Sequence, residues 1–480
     1  MDTHCNQLAF DFHRLGRRDV VAKFDGGPIS TDGGGLLLRQ AEQRSGIIRQ
    51  FAGCFTDHRD PDLIEHSLEA LIAQRVYGLC LGYEDLNDHD ALRHDPLLAV
   101  MVGHDDPSGA QRRRRGDRGK ALAGKSTLNR LELTRVGADA RSRYKKIVAD
   151  CEAIDRLFVD LFLQAHRDTP PGSPPGSPSR IVLDFDATDD PIHGDQLGKF
   201  FHGYYRSYCY LPLYVFCGDH LLCAKLRPSG IDASAGSKQV LERIVGRVRQ
   251  AWPKVQIVVR ADSGFCRGPF MDWCDAHGVD YVLGLAKNKR LLRALGKELH
   301  EAQQLYEQTG QASRVYKDFM YQTRKSWRVE RRVIGKAEHL SKGPNPRFVV
   351  TSLPAGAFDA QALYEGLYCA RGDMENRIKE QQLCLFADRT STHTMRANQL
   401  RLHLSAIAYC LMNALRRLGL KGTSMAQAQC STIRVKLLKI GARIKVTARK
   451  VWVSLSQSCP YQDLFATVYR QLTRAGPATA

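Results

Sequence analysis

Ile181-Val182-Leu183-Asp184-Phe185-Asp186-Ala187-Thr188 is a short apolar run that ends in acids. Its length and its β-branched and aromatic content predict a strand. Carboxylates at the end of such a strand stand where open α/β sheets place their sites. Downstream, residues 211–217 and 221–226 read as two more strands joined by a turn at Gly218-Asp219. Val240, Leu241, Ile244, Val245 and Val248 form one helix stripe, with Lys238, Arg243, Arg247 and Arg249 outside it. Residues 255–259 are a strand that runs into Arg260-Ala261-Asp262, and a short helix over 269–277 precedes a strand at 281–285. Strands and helices with short connections indicate a layered α/β domain.

The flanking sequence has other textures. Residues 287–346 begin helically and then alternate over 315–334, as strands do, so they read as a β-rich insertion. A strand returns at 348–351, and 361–420 is strongly helical. Upstream, 1–35 reads as an irregular lead-in with Gly-rich turns, and 36–101 as helical. There Leu63, Ile64, Leu68, Leu71, Ile72, Val76 and Leu79 recur at three- and four-residue spacing. Residues 104–120 are polar and basic, and helical pattern resumes over 128–165. Residues 169–180 carry five prolines, two glycines and three serines, the composition of a linker or exposed loop. Residues 433–455 look strand-like and hold Arg434, Lys436, Lys439, Arg443, Lys445, Arg449 and Lys450 without an acid. The expected division is a mainly α-helical N-terminal domain (1–168), a linker (169–180), an α/β domain (181–286 and 347–425) interrupted by the insertion (287–346), and a basic C-terminal segment (426–480).

Composition narrows the function. The 480 residues are 43% hydrophobic and 25% charged, ordinary for a globular chain. Lys and Arg number 70 against 51 acids, a net +19 that calls for an anionic partner, with nucleic acid the first candidate. A ribosomal or membrane-surface protein fits the charge alone. The 14 cysteines contain no C-x-x-C pair, and Cys80, Cys217, Cys223 and Cys410 sit in apolar runs. This spacing disfavours zinc fingers and a disulfide framework. Residues 1–19 have no signal-peptide core, and no run approaches a transmembrane span. The expected location is cytoplasmic, nucleoid-associated when bound to DNA.

Three acids stand out as catalytic and metal-binding candidates: Asp186 and Asp262 at strand ends, and Glu375 in Tyr368-x-x-Arg371-x-x-x-Glu375. On a helix, Tyr368, Arg371 and Glu375 fall on one face. Singly, a strand-end Asp is more often a turn or cap residue. Carboxylates that meet repel unless a cation joins them. Mg²⁺ prefers carboxylate oxygen and water. Two such ions about 4 Å apart clamp the attacking and leaving oxygens of a phosphodiester substitution. Arg371, one turn before Glu375, is placed to hold a phosphate.

These residues resemble a family. The order strand–Asp, strand–Asp, β-rich insertion, helix–Glu resembles the DDE transposases of bacterial insertion sequences. Asp-Ala-Thr at 186–188 is similar to their first motif and Arg-Ala-Asp at 260–262 to their second. Tyr368, Arg371 and Glu375 match the Tyr-Arg-Glu signature of one large branch. Longer blocks resemble its IS thirteen-eighty group: Tyr83-Glu84-Asp85-Leu86-Asn87-Asp88-His89-Asp90, residues 183–190, Gly372-Asp373-Met374-Glu375-Asn376-Arg377-Ile378-Lys379-Glu380, and Leu437-Leu438-Lys439-Ile440-Gly441-Ala442-Arg443. The resemblance implies an RNase H-like catalytic core over 181–286 and 347–425, preceded by an N-terminal DNA-binding domain over 1–168. It also implies an enzyme that binds the terminal inverted repeats of its element and uses two Mg²⁺ ions, replaceable by Mn²⁺, to cleave DNA ends and transfer them into target DNA. Two ends must meet, so a homo-oligomer on DNA is implied. The branch often adds a Lys seven residues after the Glu. Position 382 is Gln here, and Lys379 on the same helix is the substitute. Asp184 is the alternative to Asp186 as first ligand.

Other features compete. Gly119-x4-Gly124-Lys125-Ser126 matches a P-loop, but the arginine-rich 106–118 cannot be the buried strand that must precede one. The segment reads better as a helix start capped by Ser126 or Thr127. Histidines near 89–94 and 193–202 read as structural or surface groups. Trp327 is either a sheet-packing aromatic or a stacking platform for a displaced base. Arg112, Arg113, Arg114 and Arg115, with Lys436, Lys439, Arg443 and Lys445, are the DNA-contact candidates. A non-catalytic DNA-binding protein and a two-metal nuclease without strand transfer are the alternative functions.

Overall fold

The computed structural model describes residues 9–167 and 178–474, so most of the expected linker (169–177) lies outside the described residues. The chain forms two compact units. One runs to Val148 and takes back Leu411–Arg474; the other is Ala149–Cys410.

The second unit is built on a nine-stranded mixed sheet. We label its principal strands β1 (Arg180–Ala187), β2 (Leu213–Cys217), β3 (His220–Lys225), β4 (Gln256–Ala261), β5 (Asp280–Leu285), β6 (Ser313–Tyr321), β7 (Arg331–Leu340) and β8 (Arg347–Thr351). Their order is β3-β2-β1-β4-β5-β8-β7-β6. β1–β3 form an antiparallel meander. β4 pairs parallel with β1, and β5 parallel with β4. The hairpin β6–β7 extends this sheet through β8. The strands of the expected insertion are therefore part of the main sheet, preceded by helices Lys289–Ala294 and Gly296–Thr309.

The period of two along each strand sorts the side chains. Ile181, Leu183 and Phe185 of β1 and Ile257, Val259 and Ala261 of β4 face one way. They form a core with Val159 and Phe162 of helix Cys151–Arg167 and Val240 and Ile244 of helix Ser237–Ala251. Val258 and Val282 face the other way, against Leu363, Tyr364 and Leu367 of a helical segment. Asp184, Asp186 and Arg260 alternate onto this second face. Arg260 is in register with Asp184, so two residues on Asp262 stands level with Asp186. The helical segment is not one continuous α-helix. A π-helical stretch (Ala362–Tyr368) and a 3-10 turn (Cys369–Arg371) lead into the α-helix Gly372–Lys379. Gly284 in β5 lets it approach: a Cβ there would lie 2.7 Å from the Tyr368 hydroxyl.

Several boundaries differ from the sequence expectation. Helix Cys151–Arg167, read as part of the N-terminal domain, belongs to the second unit because its apolar face completes that sheet's core. The basic C-terminal segment is part of the first unit. Gly34 lies so close to the Leu437 carbonyl that a side chain there has no room. Residues 433–438 are helical, not extended, since Ile433, Leu437 and Leu438 bury one helix face. Only Ala442–Val446 and Val451–Leu455 are strands there. The lead-in holds an exposed hairpin, Ala9–Leu15 with Arg18–Lys23, which shows no burial pattern. At the P-loop-like stretch the helix Lys125–Glu132 is capped by Gly124, not by Ser126 or Thr127. The Asp90 carboxylate accepts from the Lys125 amide and pairs with its ammonium. Among the described residues every cysteine is free and no helix is long and apolar enough to cross a membrane.

Candidate active site

β1, the end of β4 and helix Gly372–Lys379 open onto one cavity of about 620 Å³ whose wall includes Asp186, Asp262, Arg371, Glu375 and Lys379. Three acids separated by long stretches of sequence therefore share one space. Asp262 caps a short 3-10 turn by accepting from the Gly264 amide at 2.8 Å. Arg371 stands between two of the acids. Its guanidinium lies 3.5 Å from Asp186 and donates to Glu375 at 2.7 Å. Burial pushes the Asp186 carboxyl up to about 7, against the pull of Arg371 and with added repulsion from Asp262 and Glu375.

Asp184 has a different position. It is buried, with both oxygens engaged by Arg260 in a forked pair, one arm at 2.8 Å. Arg260 also donates to the Leu367 carbonyl at 2.6 Å, which ties the pair to the helical segment. Burial raises the Asp184 carboxyl above its ordinary value while Arg260 opposes the shift. Tyr368 packs behind the site near Tyr364, and burial raises its phenol. Gln382 also lines the cavity and donates to the Asp189 carbonyl at 3.0 Å.

The other candidates divide. Trp327 is 6% exposed and packs edge-on to Tyr321 in the core, so it is the sheet-packing aromatic and not an open stacking platform. In the first unit Arg112 pairs with Glu65 and bonds His66, while Arg113 and Arg114 line a basic cavity of about 580 Å³. Arg115 is exposed in a 3-10 turn. Lys439 is paired with buried Asp32 at 2.6 Å and lies over the Tyr83 ring, a role inside the fold. Lys436 lies over the Tyr461 ring. Arg443 and Lys445 project outward from their strand. His202, read from the sequence as a structural or surface histidine, lines the wall of the acidic cavity, as do Tyr204 and Tyr205, which sequence reading missed. The signal was the aromatic run between Phe200 and Tyr210, which lies just after the first acid strand.

The donor set suits a hard divalent cation: three carboxylates on one wall, two of them held by a guanidinium as counter-charge. Among the described residues no three His, Cys, Asp or Glu side chains yet converge as a finished ligand group.

Residues 12–477 match the family described as Transposase DDE domain group 1. Among solved structures the chain is similar to piggyBac transposase in a cryo-EM structure of its synaptic complex with hairpin DNA. Identity is 12% over 93% of this chain and 83% of that one, with a TM-score of 0.38. No curated protein matches the sequence.

Proposed function

The chain belongs to the DDE transposase family and is a DDE-type enzyme of DNA transposition, and from that premise we propose that its acidic cavity cleaves DNA ends and joins them to target DNA. The observation that carries this is the meeting of Asp186, Asp262 and Glu375 in one cavity. We place the core among RNase H-like folds on its strand order, a meander followed by two parallel strands on the far side of β1. The motif blocks support the Tyr-Arg-Glu branch and the IS thirteen-eighty group.

DDE transposases use divalent metal. Asp186, Asp262 and Glu375 are the residues that would hold two Mg²⁺ ions, and Mn²⁺ would substitute. When bound, such ions supply Lewis acidity to the attacking and leaving oxygens of an in-line displacement. Asp186 is preferred over Asp184 because Arg260 already engages both oxygens of the latter. Arg371, once its carboxylates have another counter-charge, is free to hold a phosphate, and Lys379 adds positive charge on the same wall. In the first step water breaks a P–O3′ bond at the element's end, leaving a 3′-hydroxyl on the element and a 5′-phosphate on the flank. In the second that hydroxyl attacks a target phosphorus and expels the target's 3′-oxygen. One phosphodiester replaces another, so no nucleotide cofactor is required. Arg113, Arg114, Arg443 and Lys445 are the outward cations proposed to follow backbone phosphates of the inverted repeats. Two ends must be held together, so the active assembly is a homo-oligomer on DNA.

The test is a joining assay. Labelled duplexes carrying the ends that flank the gene are incubated with the protein, Mn²⁺ and a supercoiled plasmid. The expected result is label covalently attached to plasmid. Cutting without attachment would replace the transfer reading with that of a nuclease.

Metal binding is also expected to depend on pH. Asp186 titrates near 7 in the fold but at 3.8 as a free side chain. The folded protein thus holds this proton more tightly than the unfolded chain. The stability associated with it is complete below the unfolded value and is lost as pH rises through about 7. A divalent cation binds the ionised carboxylate and offsets that loss. Thermal melts should therefore show a larger upward shift with Mn²⁺ near pH 8 than near pH 6. The difference should vanish in Asp186→Asn.

A further inference from the structure

Between β1 and β2 the chain builds a small three-stranded sheet from Asp190–Pro191, Phe200–His202 and Ser207–Tyr210. Its hairpin pairs Phe201 with Tyr208 and His202 with Ser207, and residues 203–206 close the turn. The turn is tight. The Arg206 amide donates to the His202 carbonyl at 2.8 Å, and Arg206 takes the left-handed conformation at φ 54°. A non-glycine residue there carries a conformational cost that the surrounding contacts must offset.

That turn presents Tyr204, which is 85% exposed. Its ring meets Tyr205 edge-on at 5.0 Å. Tyr205 is fixed in turn: its ring lies 4.9 Å from His202 and its hydroxyl donates to the Ala187 carbonyl, next to Asp186. His202, Tyr204 and Tyr205 line the same cavity as the three acids. Phe201 and Tyr208, paired across the hairpin and meeting edge-on, are also exposed, at 59% and 53%. An aromatic surface left this open on a polar wall marks a binding face. Arg206 in the turn and Lys379 on the cavity wall give it positive charge, the sign that suits a nucleic-acid strand. Base faces stack on such rings regardless of sequence.

We propose that the Tyr204 turn is a stacking site for an unpaired nucleobase at the DNA end, holding the strand next to the scissile phosphate beside Asp186. This rests on the proposed function, since it takes the ligand to be a DNA end. Of the two readings of Trp327, sheet packing or base stacking, the second is not available to it, because Trp327 is inside the core.

The test uses the full chain with chelator present, so that no cleavage occurs. The probe is a duplex with a few unpaired terminal nucleotides, one of them 5-iododeoxyuridine, compared with the fully paired duplex. On irradiation the crosslinked peptide is expected to contain Tyr204. Tyr204→Ala should lose that crosslink and bind the unpaired end about tenfold more weakly, with its binding to the paired duplex unchanged. Tyr204→Trp should keep both properties, because a ring is required and a hydroxyl is not. A crosslink that maps elsewhere would overturn the proposal. So would equal loss of paired and unpaired binding in Tyr204→Ala, or a change in self-association with the preference for unpaired ends intact. Failure of the transposase reading would show separately, as absent joining by the wild-type protein.

Discussion

Asp262→Asn and Glu375→Gln proteins are expected to fold and bind DNA, yet to nick and join it on the order of 10³-fold more slowly than wild type, ~4 kcal/mol of barrier. Neither side chain supports the core. Asp262 caps a single turn, and Glu375 is a partly exposed helix residue that pairs with Arg371. What each loses is an anionic oxygen on the cavity wall, which an amide replaces in shape but not in charge. Gel shifts, melting curves and a nicking assay on one preparation separate the effects. Unchanged melting and binding with lost nicking is the expected pattern. Undiminished nicking by either variant would remove that residue from the site.

Arg260→Ala is expected to lower stability by about 3–5 kcal/mol, because it strands the buried Asp184 carboxylate and frees the Leu367 carbonyl. The helical segment that carries Arg371 and Glu375 is tied to the sheet through that carbonyl, so activity should fall with it. A double variant, Arg260→Met with Asp184→Leu, should recover much of the stability, since apolar residues replace a buried pair at little cost. Asp186→Asn should behave in the opposite way: without metal it should melt no lower than wild type near pH 8, because it removes a buried carboxylate that resists ionisation. Denaturant unfolding of the four proteins checks this. A stable Arg260→Ala protein would mean that the pair contributes nothing to holding the segment.

This contrast also shows what the sequence could and could not convey. The run at 181–186 offered both Asp184 and Asp186 as first ligand but could not say which was consumed by a partner, because Arg260 is distant in sequence and adjacent only through parallel pairing. The strands at 213–217, 220–225, 256–261 and 280–285 were legible since their apolar runs are short and bounded by turns. The insertion's hairpin was legible as strands, but its continuity with the main sheet depends on β8, which returns after the insertion. The return of the C-terminal segment to the first unit was not legible. It rests on close packing at Gly34, which reads locally as a turn, and on the pairing of Asp32 with Lys439, which reads locally as a DNA-contact candidate. For Trp327 the sequence left two readings, packed or open, and the choice depends on Tyr321 and the core that close over it. Tyr204 was missed for the reverse reason, since exposure of an aromatic cannot be read from composition.

Asp186, Asp262 and Glu375 are proposed to form one divalent-cation site. Iron-directed cleavage of the protein tests it most directly. Fe²⁺ takes the place of Mg²⁺ at carboxylate sites, and with ascorbate and peroxide it cuts the backbone nearest the bound ion. The expected fragments end near residues 186, 262 and 375 together, and excess Mg²⁺ or Mn²⁺ suppresses all three cuts in parallel. Cuts confined to other segments, or cuts near only one of the three that Mg²⁺ leaves unaffected, would contradict it.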